Sequence, residues 1–155
     1  VIGLSEQFGL KQSAEKIVKK RDNLSPGALY SVYLLFRELA GFFSMRIYGL
    51  VQFVRPIIFP MAEASYEKQN GKLEKKDSEK LKSRAAAMEN FGNFFAQNTF
   101  IGAGGVLLIV GQMESLGYPV TNADIAGKSL PIAIICLVLG VIKNIIDDKR
   151  MKGGK

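Results

Sequence analysis

Five hydrogen-bonding side chains crowd into ten residues, ENFGNFFAQN at 89–98, just before the apolar run TFIGAGGVLLIVG. On a helix, Glu89, Asn93 and Gln97 stand at i, i+4 and i+8 with Asn90 beside them, while Phe91 and Phe95 fall on another face. A helix N-cap accounts for one asparagine at most, so Asn98 and its neighbours need a further role. Two remain open: hydrogen-bonding glue between helices, or a solvated binding site. The run GAGG follows at once. Gly102, Gly104 and Gly105 would let the helix unwind and present backbone groups to an ion near a bilayer midplane, as broken helices do in transporters. Close helix packing through small residues is their other use.

A second set is charged. Arg37, Glu38, Arg46, Arg55 and Glu63 lie within or at the edges of apolar segments. An ionised side chain at a bilayer centre costs roughly 2.5–3.5 kcal/mol on the gentlest scale, so each should face protein or water. Mutual neutralisation, Arg37 or Arg55 with Glu38 or Glu63, is one outcome. The other is an arginine facing an anionic substrate, because a guanidinium fits a carboxylate bidentately. Arg55 is the favoured candidate. Gln52 shares its helix face at i−3, and Pro56 cannot donate to the Gln52 carbonyl, leaving that oxygen free.

The elements that must position these groups are helical. Residues 5–23 carry Phe8, Leu10, Ala14, Ile17 and Val18 among charges, the pattern of an interfacial amphipathic helix. Ser25-Pro26 opens the next helix. Residues 26–64, interrupted by Pro56 and Pro60, predict a re-entrant hairpin or two short helices. Residues 65–84 read as a charged cytoplasmic loop, 85–113 as a Gly-broken spanning helix, and 129–146 as a clean one.

Composition narrows the classes. The 155 residues are 48% apolar with a net charge of +7. Most charges fall in blocks flanking apolar segments, which excludes the one-faced basic surface of a nucleic-acid binder and fits membrane loops. There is no histidine and one cysteine, Cys136, inside PIAIICLVLG. No nucleophile–base pair and no metal set is visible, so no enzyme and no cofactor is expected. Five Lys/Arg in 11–25, seven in 66–84 and four in 147–155, against Lys128 alone in 114–128, put the basic segments and the C-terminus on the cytoplasmic side of an inner membrane. The start, VIGL, reads as the tail of an apolar segment, as in a fragment lacking N-terminal spans.

The stretches FRELAGFFSMRIYGLVQFVRPIIFPMAEA, ENFGNFFAQNTFIGAGGVLLIVG and LPIAIICLVLG resemble the smaller membrane subunit of the bacterial 5-oxoproline (pyroglutamate) transporter family. QFVRPxxxPMAE and ENFGNFFxQN are the specific part. The resemblance implies a second membrane subunit as partner and kinship with ion-coupled transporters of two inverted halves. The expected fold is therefore all-α and polytopic, one half of such a transporter, with the lipid bilayer as its solvent. The expected function is uptake of a small carboxylate such as 5-oxoproline, coupled to Na⁺ or H⁺. A non-transporting scaffold for a partner membrane protein is the alternative. Arg55 would take the carboxylate, with Gln52, Asn90, Asn93, Gln97 and Asn98 complementing a lactam edge.

Overall fold

The computed structural model describes residues 16, 24–45 and 50–152, and among these there is helix but no strand. The proposed interfacial helix at 5–23 (Lys16 apart) and Arg46 lie outside the described residues. Helix α1 (Pro26–Phe42) opens on Ser25, whose hydroxyl accepts from the Ala28 amide, with proline in the first turn. Leu50–Ile58 is wound as a π-helix and passes into α2 (Phe59–Asn70). The remaining helices are α3 (Lys75–Gln97), α4 (Gly104–Ser115) and α5 (Asn122–Lys152).

Contacts fix the directions. Tyr30 meets Leu81 and Arg84, Arg37 meets Glu89, and Gly41 packs on Ala96, so α1 and α3 run parallel. Ser65 bonds the carbonyl of Leu24 and Phe53 stacks on Tyr33, so the Leu50–Asn70 arm returns antiparallel to α1. Gly27 meets Asp148 and Asn144 meets Ser31, so α5 also runs against α1. The core is α1, α3 and α5, with Tyr30, Leu34, Leu81 and Met88 fully enclosed. Helix α4 touches α5, and its Val106 and Val110 are buried.

One consequence is chemical zoning. The C-terminal part of α2, the start of α3 and the end of α5 gather their charges at one end, beside the N-terminus of α1. Beyond it the surface turns apolar: Val32, Phe36 and Leu39 on α1, Leu107 and Leu108 on α4, and Ile132, Ile135, Val138, Leu139 and Ile142 on α5 are all exposed. A surface patch of that size marks contact with lipid or another protein. Helix α5 is long and apolar enough to cross a membrane, and little of its apolar window is buried in the chain.

The expected charged loop at 65–84 is a correction. Helix continues to Asn70, and α3 begins at Lys75. Lys80 pairs with Asp77 and Lys82 with Glu79, the i,i+3 spacing that supports a solvated helix, while Leu81, Arg84, Ala85 and Met88 mark its buried stripe.

Candidate functional site

Where α1 and α3 lie side by side, four side chains close on one another. Arg37 donates through Nε to both oxygens of Glu89, at 3.2 and 3.1 Å. Its Nη2 donates to Oδ1 of Asn93, and the Tyr33 hydroxyl donates to Oε2 of Glu89. Tyr33, Arg37 and Glu89 are all buried. The sequence explains the convergence. Tyr33 and Arg37 are one turn apart on α1, and Glu89 and Asn93 one turn apart on α3, so two i,i+4 pairs face each other. Gly92 makes room: a Cβ there would stand 2.8 Å from Cγ and 2.9 Å from Cβ of Arg37. Phe53 stacks on Tyr33 with ring centroids 6.0 Å apart, so the π-wound segment closes the third side.

A second arginine is clasped at the charged end. Arg84 Nη2 donates to the carbonyl of Asn144 at 3.1 Å and to Asp148 at 2.9 Å, and Nε lies 3.7 Å from Asp147. Its guanidinium carbon stands 5.2 Å from the centroid of the Tyr30 ring. Both oxygens of Asp148 also accept from the Gly27 amide at 2.9 Å. That carboxylate therefore sits on the positive end of α1. A groove of about 620 Å³ opens beside it, lined by Lys76, Lys80, Arg84 and Arg150 among others.

Residues 1–152 match the family described as Protein of unknown function (DUF969). The chain belongs to that family. No curated protein and no solved structure matches it. For this DUF969 member the chemistry therefore rests on its own geometry.

That geometry divides the candidate residues. Asn93 is in the buried cluster, but Asn90 and Gln97 are exposed. An eight-residue step advances a helix by about 80° beyond two full turns, enough to carry Gln97 off the face of Glu89. Asn98 bonds back to the carbonyl of Phe94 at 3.1 Å and ends the helix. Gln52 and Arg55 are exposed on the π-wound segment, and Arg55 makes no ion pair among the described residues. In i→i+5 winding, the carbonyl opposite Pro56 is that of Val51, so the Gln52 oxygen is not the one that proline leaves free. Gly102, Gly104 and Gly105 sit exposed at the break between α3 and α4. They do not line the apolar cavity of about 380 Å³ nearby, which Phe42, Thr99, Phe100 and Leu130 help to form.

The expected charge pairings are also corrected. Arg37 is neutralised by Glu89, neither by Glu38 nor by Glu63, because adjacent residues on a helix point about 100° apart. Glu63 instead accepts from Ser78 at 2.7 Å. One signal could have found Glu89: it is the only acid between Arg84 and Glu114, and a lone acid in an apolar segment must meet a cation on a neighbouring one.

Proposed function

We propose that the chain is a membrane-embedded subunit of a secondary transporter for a small carboxylate, assembled with a second membrane subunit. In this reading α1, the Leu50–Asn70 arm, α3 with α4, and α5 lie in the bilayer as one half of an inverted-repeat fold. The charged end faces the cytoplasm.

One observation carries the reading. The Tyr33–Arg37–Glu89 cluster is buried, with half-buried Asn93, inside a chain whose α1, α4 and α5 expose a largely apolar surface. Ionisable groups at such depth mark substrate or ion pathways more often than anchors. A π-wound segment beside the cluster agrees with it, since such winding concentrates at functional sites. Gln52, Arg55, Asn90 and Gln97 supply exposed polar groups on the Leu50–Ile58 segment and on α3, two elements in contact. Left in hydrocarbon they would be costly. Set against a second subunit, they would line a shared cavity in which Arg55 takes the carboxylate and the amides the rest. A monomer alone should not bind substrate. The resemblance to the 5-oxoproline transporter subunit supplies the substrate to try first.

The scaffold reading has its own observation: Arg37, Glu89 and Tyr33 largely satisfy one another, as structural glue would. Uptake separates the two. Cells carrying both subunits should accumulate labelled 5-oxoproline and lose that uptake with Arg55→Ala in a complex that still assembles. Undiminished uptake by the Arg55→Ala complex would reject the assignment of Arg55. Uptake by the partner subunit alone would leave this chain a scaffold.

A further inference from the structure

Glu38 is the buried acid that the Arg37 cluster does not use. Only 9% of the residue is exposed, and its Oε1 has no hydrogen-bond partner. Its place follows from the seam between α1 and α5. Gly27 faces Asp148, Ser31 faces Asn144, and Leu34 packs where Gly140 leaves room for it. One further turn in this antiparallel register sets Glu38 against Cys136.

Among the described residues, no cation at that level of the seam pairs with Glu38. Helix α5 carries no charged residue between Lys128 and Lys143. Arg37, the next residue on α1, points into the other seam and is bonded to Glu89. On the π-wound segment Arg55 is exposed and makes no ion pair among the described residues. With Oε1 buried and unbonded and no cation paired with it among the described residues, the charged form is disfavoured against the neutral acid.

We propose that Glu38 is a proton-binding site: it holds a proton while the α1–α5 seam is closed and releases it when the seam opens to water. Resting on the transporter reading, this makes the proton the coupling ion and Glu38 its carrier. The unbonded Oε1 supplies the position the proton occupies. Ala133, Cys136 and Gly140 give α5 small residues along this stretch.

The test uses the assembled protein in its native membranes and the lipophilic carboxyl reagent dicyclohexylcarbodiimide, which reacts with protonated acids. Peptide mass spectrometry should find the adduct on Glu38 and not on ion-paired Glu89. The labelling should fall about tenfold per pH unit beyond its midpoint, survive added Na⁺ at fixed pH, and vanish in Glu38→Gln. The infrared band of a protonated carboxyl should disappear in the same variant and persist in Glu38→Asp. Absence of both the adduct and the band overturns the proposal. So does an adduct that Na⁺ blocks at fixed pH, which would make sodium the occupant. Full proton-gradient-dependent uptake by Glu38→Gln overturns the coupling role. If 5-oxoproline uptake fails while Glu38 still labels with this pH dependence, the transporter reading falls and the proton site stands.

Discussion

The two arginines Arg37 and Arg84 are equally enclosed, each 7% exposed, yet they are held in opposite ways. Arg84 has a redundant set of partners: Asp148, the Asn144 carbonyl, the Tyr30 ring and Asp147, with Lys143 sharing the last. The Asp148 carboxylate also caps the start of α1 through Gly27. Arg37 depends on one acid, Glu89, with one amide and one phenol completing the set. Equal burial therefore does not imply an equal role. The redundant clasp tolerates loss of any one partner, as a structural joint should. The single-acid cluster has no second carboxylate to hold Arg37 if Glu89 is lost.

The largest effect should come from opening the Arg37 pair. Glu89→Ala leaves a buried guanidinium without its counter-ion, an expected loss of about 3–5 kcal/mol in unfolding free energy. The double variant Arg37→Met with Glu89→Leu should recover most of it, since two apolar groups replace a pair whose desolvation was expensive. Equilibrium unfolding of the three proteins in lipid measures this. A loss under about 1 kcal/mol for Glu89→Ala would place the pair in water and erase the contrast with Arg84.

Next in size is Gly92→Ala. The added Cβ must push Arg37 away from its place on α3, an overpacking cost of about 1–3 kcal/mol. The same variant in the background of Arg37→Gly, which removes both the Cγ and the Cβ that the new methyl would meet, should cost much less. Equal losses in both backgrounds would show that Gly92 serves the helix contact rather than the arginine.

Asp148→Asn should cost less than Glu89→Ala, about 1.5–3 kcal/mol for a charge-assisted hydrogen bond, because Asp147, Asn144 and Tyr30 keep hold of Arg84. Its signature is local. Amide exchange should rise at residues 27–29, where one neutral amide oxygen replaces the carboxylate that accepts from Gly27, and stay unchanged at 89–93. Exchange rising equally at both places would mean that the two clusters form one cooperative unit.

How much of this could be read in the sequence follows from the range of each interaction. The apolar run of α5, the Ser25-Pro26 start of α1 and the glycine run before α4 are local signals, and helix boundaries fall at each of the last two. The helix through 75–84 was obscured by its charges, although Leu81, Arg84, Ala85 and Met88 carry the helical period beneath them. The pairing of Arg37 with Glu89 spans 52 positions and depends on α1 running parallel to α3. No local pattern encodes that. Arg55 attracted attention through a local proline and a local glutamine, and it is exposed. Arg84 lies inside the charged stretch 65–84, whose lysines give no local sign that this residue is buried.

The smallest predicted effect is at the other end of α5, and it supplies a control for both clusters. Thr121 and Asp124 form a reciprocal cap. The Asp124 carboxylate accepts from the Thr121 amide at 2.9 Å and from its hydroxyl at 2.6 Å, while the Asp124 amide donates back to Thr121 Oγ1 at 3.2 Å. The hydroxyl bond first, then the backbone bond, holds the Asp124 carboxyl below the ordinary carboxylate range. A carboxyl so lowered stabilises the fold above its ordinary range and loses that contribution as pH falls through its lowered value. Acid should therefore fray only the first turn of α5, read as faster amide exchange at 122–126, with the clasp at Asp148 undisturbed. Asp124→Asn should show the faster exchange already at neutral pH and no further change on acidification. If the wild-type first turn exchanges at one rate across that pH range, the cap carries no charge-dependent part, and helix α5 is held by its packing on α1 and α3 alone.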